Sequence, residues 1–568
     1  MGSAMFETFN LQPFEDDIRS SLEQAGREKI IRRLWKKDFT LWKEEDREIS
    51  NRLGWLDAPE QAGPNQAVWE ELADTIRRRG ITDVLLLGMG GSSLAPEVFS
   101  RVFGSAPGYP SLSVLDSTAP EAVRRFRDSL APDRTMFVVS SKSGTTIETV
   151  SFFRFFFSWL EQVLGSGRAG QHFLAITDPG TPLEEVGRRL GFLKVVPGVP
   201  TIGGRFSVFS AFGLLPAALI GLDIKDLVNR GREMARLCRT ENPPQQNPGL
   251  LLGTLLGRLA GRGLDKLTFL LPSPLESFGG WLEQLIAEST GKEGRGILPV
   301  AGEAPASAQV YGQDRFFVAY RLKGDDSTRA VIDNVKRVGR PGLVIDLHSS
   351  AELAGQFYLW EMATAVAGCW LRVNPFEQPN VTAAKKNADR MLKFFGEHGH
   401  FPPETPLFRE EGLSLFGDAQ GSSPAEAIRH FVAQGRPGDY IALLAFLTPE
   451  PATEAALKEI GRTLRDKTRL AVTFGFGPRY LHSIGQFYKG DAGRGLFLQF
   501  SARDSQDLSL PREAGAGALS PYSFGLLKDA QAGGDFQALR EAGRKVIRIH
   551  LDGTLADGLR RLAEWLRE

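Results

Sequence analysis

The segment Trp281–Lys292 carries residues that could move a proton. Gln284, Glu288 and Lys292 recur at four-residue spacing, which predicts one shared helix face, and Gly291 predicts that the helix ends before Lys292. On most helices such a pattern is a solvated ion-pair face. Here the apolar and glycine residues around it favour burial, and burial raises the pKa of a carboxylate towards the range of a general base. Glu288 is therefore the candidate base.

Two polar loops could hold an anion. Gly88–Leu94 follows an apolar run, and its glycines would let the backbone approach a ligand. It lacks the full spacing and the acidic residue of a dinucleotide site, and alone it could be a tight turn. Ser141–Thr149 contains Thr145 and Glu148 at capping-box spacing, which predicts a helix start there. Hydroxyls, unpaired amides and the helix dipole suit a phosphate dianion, although a well-capped polar loop is an equally simple explanation.

Two further segments carry cations. Arg205 lies in a glycine turn before the most apolar helical run. A charge buried there has an unfavourable desolvation free energy unless an anion binds it. A structural salt bridge is the alternative. Further on, Asn374–Val381 precedes a helical pattern in which Lys385 lies about two turns in, near the side of Gln378. A surface lysine is the default interpretation of that pattern.

These residues need parallel sheets to bring them together. Short apolar runs alternate with helical patterns, which predicts an α/β fold with doubly wound sheets, in which ligands bind at the carboxyl ends of the strands. The strand candidates are Val84–Leu87, Leu112–Leu115, Met136–Val139, Phe173–Ile176, Leu193–Val196, Leu267–Leu271, Ile297–Val300, Phe316–Tyr320, Leu343–Leu347, Tyr440–Leu444, Leu470–Phe474, Leu496–Phe500 and Val546–Leu551.

The length of 568 residues suggests about three or four folding units. We predict an N-terminal helical segment (1–55), a first α/β domain (56–240) and a second one (241–396). A linker rich in glycine, proline and serine (397–424) precedes a C-terminal α/β extension (425–568).

The composition is that of an ordinary globular protein. Lys plus Arg and Asp plus Glu number 68 each, so no overall field favours nucleic acid or an anionic membrane. The two cysteines, Cys238 and Cys369, have no partner at metal-ligand spacing and fit a reducing compartment. No signal peptide or membrane span is evident, so we expect a cytoplasmic protein without a metal.

With these residues in hand, the chain resembles the phosphoglucose isomerases over about residues 30 to 395. The resemblance implies two successive sugar-isomerase (SIS-type) domains. Glu288 matches the family's catalytic base, Gln284 its helix glutamine, and Arg205 the arginine credited with stabilising the enediolate. Gln378 and Lys385 match its late glutamine and lysine. The residues that resemble the family's phosphate cradle and the glycine–serine pair beside it are Ser141, Lys142, Ser143, Thr145, Thr146, Gly91 and Ser92.

The resemblance implies a reaction. Ring-opened glucose 6-phosphate would give a C2 proton to Glu288, the enediolate would face Arg205, and the proton would return to C1 to give fructose 6-phosphate. No cofactor is implied, and the expected partner is a small sugar phosphate. A homodimer is also implied.

One family residue is missing. The family opens the sugar ring with a histidine, commonly from the neighbouring subunit. This histidine is expected just before the strand Leu343–Leu347, where the chain has none, and His348 lies too late in the sequence to match it. The extension contains the run Gly475–Gly490, which resembles the tail of bifunctional transaldolase/phosphoglucose isomerases. His482 in that run is our candidate replacement, and a structural histidine in a turn is the alternative.

Two other functions stay open from sequence. The chain could be a non-catalytic sugar-phosphate sensor, although a sensor has no use for the base Glu288 opposite a cation. It could also be an isomerase that accepts mannose 6-phosphate, and fold resemblance does not decide this.

Overall fold

The computed structural model describes residues 5–165, 167–241, 243–410, 412–515 and 517–568. Residues 1–4 of the predicted helical segment and residue 411 of the predicted linker lie outside these ranges. The strands are β1 (Phe6–Phe9), β2 (Asp83–Gly88), β3 (Ser111–Leu115), β4 (Thr135–Ser140), β5 (Phe173–Thr177), β6 (Lys194–Pro197), β7 (Lys266–Leu270), β8 (Leu298–Val300), β9 (Arg315–Leu322), β10 (Gly342–Leu347), β11 (Phe408–Glu410), β12 (Leu413–Gly417), β13 (Tyr440–Phe446), β14 (Ala471–Phe476), β15 (Gly495–Ala502) and β16 (Lys545–Leu551).

Helices connect most of these strands. They are α1 (Glu15–Arg27), α2 (Ile30–Trp35), α3 (Ala58–Arg78), α4 (Leu94–Phe103), α5 (Pro120–Ser129), α6 (Ile147–Leu164), α7 (Pro182–Arg189), α8 (Ala211–Leu219), α9 (Ile224–Cys238), α10 (Pro248–Gly261), α11 (Glu276–Thr290), α12 (Arg329–Arg337), α13 (Leu353–Leu371), α14 (Val381–His398), α15 (Pro424–Ala433), α16 (Pro451–Thr468), α17 (Gly485–Gly490), α18 (Phe524–Glu541) and α19 (Leu555–Arg567).

The strands form three sheets. The first has the order β3-β2-β4-β5-β6 and is parallel throughout. The second has the order β1-β10-β9-β7-β8, and the third β11-β12-β16-β15-β13-β14. Among the described strands, β1 runs antiparallel to the rest of the second sheet, and β12 runs antiparallel to both of its neighbours, β11 and β16, in the third. The predicted α/β class with parallel sheets is confirmed.

Continuous apolar strands explain the buried position of the sheets. The four residues Val84–Leu87 of β2 are all buried, as expected for a strand covered by helices on both faces. One hydrophobic core joins the first and second sheets, and another packs Ala287 of α11 and Val300 of β8 against Tyr440 of β13. The third sheet therefore packs directly on the segment that carries Glu288.

Two segments differ from the sequence prediction. β1 lies in the region predicted to be helical and pairs with β10 at the edge of the second sheet. β11 and β12 lie within the range predicted as a linker and extend the third sheet. The domain boundaries themselves stay a prediction.

Candidate active site

α11 brings Gln284 and Glu288 together in the interior. Both side chains are buried, and Gln284 Nε2 donates a hydrogen bond of 3.0 Å to Glu288 Oε2. Glu288 Oε1 lies 3.5 Å from Arg205 Nη1, and both groups are under one tenth exposed. The helix ends at Gly291, where a Cβ atom would lie 2.5 Å from the Phe487 Cα. The shared helix face is confirmed for Gln284 and Glu288, the helix ends before Lys292 as predicted, and a solvated ion-pair face is excluded.

Arg205 is held in place by four hydrogen bonds. Its guanidinium donates to Ser289 Oγ at 2.8 Å and to Gln378 Oε1 at 2.6 Å. It also donates to the carbonyl oxygens of Pro375 at 2.7 Å and Glu377 at 3.1 Å. Burial lowers the pKa of Arg205 and the Glu288 carboxylate counteracts this, but an arginine stays charged at such a site. A fixed cation therefore lies beside a fixed carboxylate.

The glycine loop after β2 lies next to this pair. Gly91 contacts the turn that holds Arg205, because a Cβ atom on Gly91 would lie 2.2 Å from the Gly204 carbonyl. Gly90 has φ +53°, and its Cβ atom would lie 2.7 Å from Gln284 Nε2. The Ser92 carbonyl accepts a hydrogen bond from Ser140 Oγ at 3.1 Å. The loop thus connects the first sheet to the Glu288 cluster through close backbone contacts.

A cavity of about 240 Å³ opens at the start of α6, and His482, which lines it, contacts Gln284 of the Glu288 cluster through its backbone carbonyl. Its lining includes Ser143, Thr145 and Thr146 from the polar loop after β4, together with Lys385 and His482. The first amides of a helix have no partners within the helix and attract anions. The hydroxyls, the helix start and Lys385 together suit a phosphate group of a small ligand.

Two residues of the predicted cradle lie elsewhere. Ser141 is buried under the loop, with its Oγ atom 3.1 Å from Thr146 Oγ1. Lys142 forms an ion pair with Asp178 and hydrogen bonds of 3.3 Å to the carbonyls of Val199 and Pro200. Both therefore support the loop from behind, rather than lining the cavity.

The helix start predicted from Thr145 and Glu148 is confirmed, but the two residues do not form a capping box. α6 begins at Ile147 with Thr146 as its N-cap residue. Glu148 instead turns inward and accepts hydrogen bonds from His482 Nε2 at 2.9 Å and from Gln531 Nε2 at 2.7 Å. Burial raises the pKa of Glu148, but His482 outweighs it and holds the pKa below its usual value. The Glu148–His482 pair was missed because the two residues lie far apart in sequence.

His482 also contacts the Glu288 cluster through its backbone. The His482 carbonyl accepts a hydrogen bond of 2.8 Å from Gln284 Nε2, the same nitrogen that reaches Glu288. His348, by contrast, has a side chain that is 78% exposed and lies near Glu352. The structure therefore brings His482, and not His348, to the cavity at the start of α6.

Among the described residues, no helix has the length and apolar character needed to span a membrane.

Gln378 and Lys385 were predicted to lie near one side of a helix, but they contact different parts of the site, the Arg205 cluster and the cavity. Gln378 precedes α14 and accepts from Arg205, whereas Lys385 lines the cavity.

Comparisons with known proteins agree with this geometry. A sequence model of the family described as phosphoglucose isomerase matches residues 72–298. The glucose-6-phosphate isomerase of Rubrobacter xylanophilus is 31% identical over 56% of this chain and 84% of its own. That of Geobacter sp. strain M21 is 29% identical over 68% of this chain and 83% of its own.

Two solved structures share the fold. A hypothetical protein from Thermus thermophilus matches with a TM-score of 0.58 and 25% identity, over 68% of this chain and 100% of that one. A glucose-6-phosphate isomerase from Chlamydia trachomatis matches with a TM-score of 0.57 and 18% identity, over 67% of this chain and 86% of that one.

Proposed function

The chain belongs to the phosphoglucose isomerase family, and on that premise we propose that it interconverts glucose 6-phosphate and fructose 6-phosphate through a cis-enediolate. The observation that carries the proposal is the contact of 3.5 Å between Arg205 Nη1 and Glu288 Oε1, both buried. It provides a base and a fixed cation at one point, as proton transfer next to a carbonyl requires.

Glu288 is proposed to take the proton from C2 of the open-chain aldose. The electrons of the C–H bond form the C1–C2 double bond, and negative charge develops on the former carbonyl oxygen. Arg205 is proposed to stabilise that charge, because a cation fixed in advance need not reorganise during the reaction. Return of the proton to C1, with proton exchange between O1 and O2, gives the ketose. Gln284 orients the Glu288 carboxylate through its hydrogen bond of 3.0 Å.

The cavity at the start of α6 is proposed to hold the phosphate. Ser143, Thr145 and Thr146 would bind its oxygens, and Lys385 would balance its charge. His482 is proposed to open the sugar ring by giving a proton to the ring oxygen, while the bond from that oxygen to the anomeric carbon breaks and the anomeric hydroxyl loses its proton to water to become the carbonyl. Because its Nε2 atom faces Glu148, Nδ1 of the protonated ring is left to donate.

Gly91, Ser92, Ser141 and Lys142 are proposed to shape the substrate site from behind its surface. We place the reaction in glycolysis and gluconeogenesis in the cytoplasm, and a homodimer stays a prediction from the family. The resemblance of the C-terminal region to bifunctional enzymes is likewise a prediction.

The test is an assay that converts fructose 6-phosphate to glucose 6-phosphate, coupled to glucose-6-phosphate dehydrogenase. Glu288→Gln keeps the size of the side chain but cannot accept the proton, so kcat should fall by at least about 100-fold. Glu276→Gln, at an exposed position of the same helix, is the matched control. Binding of sugar phosphate by the wild type without turnover would indicate a sensor, and retained activity in Glu288→Gln would refute the assignment of the base. Turnover of mannose 6-phosphate would indicate the broader isomerase.

A further inference from the structure

The segment that carries His482 is held between all three sheets. This segment, residues 477–490, which we term the His482 arm, follows β14 and includes a 3-10 helix, Arg479–His482, and α17. Tyr480 Oη donates a hydrogen bond of 2.5 Å to Asp535 of α18, within the C-terminal region. Ser483 Oγ donates one of 3.0 Å to Glu283 of α11. The arm therefore contacts its own region and the helix that carries Glu288.

Arg479 joins the arm to the first sheet. Its Nη1 atom donates a hydrogen bond of 2.7 Å to Asp116 Oδ2, and its Nη2 atom donates to Glu97 Oε2. The Glu97 and Asp116 side chains are 14% and 13% exposed, and that of Arg479 is 30% exposed. Two partly buried carboxylates that share one partner would destabilise the folded protein if no cation lay between them. Although burial lowers the pKa of Arg479, the two carboxylates outweigh it and raise the pKa.

The positions of these carboxylates explain the geometry. Asp116 directly follows β3, Glu97 lies in α4 after β2, and Glu148 lies in α6 after β4. The order β3-β2-β4 brings all three to the carboxyl edge of one sheet. Arg479 and His482 are three residues apart in a 3-10 helix, where residues at that spacing are eclipsed. One short turn thus directs both side chains to the same sheet edge.

We propose that Arg479 is a positioning residue for His482, which it fixes against Glu148 by binding Glu97 and Asp116. The proposal rests on the proposed isomerase function. Arginine suits this task because its planar fork binds two carboxylates at once, which a lysine cannot do with the same geometry. The C-terminal region then has a defined purpose, since it supplies the ring-opening group and the cation that orients it.

The experiment is a double-mutant cycle with Arg479→Met and His482→Gln in the fructose 6-phosphate assay. If Arg479 acts through His482, Arg479→Met should lower kcat by about 10- to 100-fold, with little change in KM. In the His482→Gln background the same substitution should lower kcat no further. Arg479→Lys, which keeps the charge, should restore part of the loss. Inhibition by sorbitol 6-phosphate, an open-chain sugar phosphate that needs no ring opening, should be unchanged.

The matched control is Arg101→Met. Arg101 contacts the same Glu97 carboxylate at 3.1 Å, but its side chain is 69% exposed and lies outside the arm. The Arg101→Met substitution should leave kcat unchanged.

Where Arg479→Met fails to fold, Asp116→Asn removes one partner of the Arg479 guanidinium at constant size and should give the same pattern. Unchanged kcat in Arg479→Met, or an equal loss in both backgrounds, would overturn the proposal. A wild type without turnover would instead refute the proposed function.

Discussion

Arg205 and Glu288 show how one residue prepares the site for another. A buried charge destabilises the folded protein unless it is paired and hydrogen-bonded. Arg205 satisfies both conditions through Glu288 and four further acceptors. Because Ser289, Gln378 and two carbonyls fix the guanidinium, it cannot follow Glu288 if the carboxylate moves. The cation therefore stays available for charge that develops on a substrate.

Arg205→Lys tests this argument. Lysine keeps the charge but loses the planar fork, so the cation should sit less accurately, and kcat should fall by about 10- to 100-fold with a smaller change in KM. Steady-state kinetics in the fructose 6-phosphate assay measure both constants. The control is Arg52→Lys, at a nearby arginine that donates to the Pro200 carbonyl at 3.2 Å. Equal losses in both variants would contradict a special role for Arg205.

Several of the site residues could be predicted from sequence, and one important partner could not. Gln284 and Glu288 share a helix, so their spacing alone predicts that they lie on one side of it. The role of Glu148 depends on His482 and Gln531, which are brought near only by tertiary packing. The local capping-box spacing favoured a different role, and packing overrode it. The available sequence signal was a glutamate in the first turn of the predicted helix.

At the scale of elements, α11 serves two purposes. Glu288 and Gln284 face the Arg205 cluster, whereas Glu283 faces the His482 arm and accepts from Ser483 Oγ at 3.0 Å. Burial raises the pKa of Glu283 to about 7, and the Ser483 hydrogen bond only partly offsets this. The folded protein therefore binds a proton at Glu283 more tightly than the unfolded chain does.

This difference predicts a pH dependence of stability. With an ordinary pKa of 4.5 and a folded pKa of about 7, stability should fall as pH rises between these values. Glu283→Gln imitates the protonated form, so it should raise the free energy of unfolding by up to about 3 kcal/mol at pH 8 and by much less at pH 5. Denaturant unfolding at the two pH values measures this, with Glu276→Gln as the exposed control. An equal effect at both pH values would contradict the assigned burial.

The predictability of the elements depended on their burial. Strands covered on both faces, such as β2, β4 and β13, are continuous apolar runs and were predicted within about two residues of their ends. β1 and β11 were missed because they are short edge strands in which Phe6 is the one buried residue. Such strands gain their hydrogen bonds from a neighbour that the local sequence does not specify.

At the scale of the whole molecule, the three sheets contribute different parts of one site. The first sheet provides Glu148 and the loop that is proposed to bind phosphate, and α11, packed between the second and third sheets, provides Glu288. The third sheet provides the His482 arm within the same chain. Gln284 joins these parts, because its Nε2 atom reaches both Glu288 and the His482 carbonyl. A single chain therefore holds every side chain that the proposed mechanism uses.

This arrangement predicts the outcome of a complementation experiment. Glu288→Gln and His482→Gln chains with different tags are coexpressed, and mixed assemblies are purified and assayed with fructose 6-phosphate. If each site uses residues of one chain, no mixed assembly contains an intact site, and activity should stay at the level of the two variants alone. If His482 served the site of a partner in a twofold dimer, each purified mixed dimer would contain one intact site of two and restore roughly half of wild-type activity. Coexpressed wild-type and Glu288→Gln chains are the control for assembly.

For a monomeric protein no mixed assembly forms, and the activity of the wild-type monomer gives the same answer directly. Restored activity in the mixed assembly, or an inactive monomer, would show that the site is shared between chains.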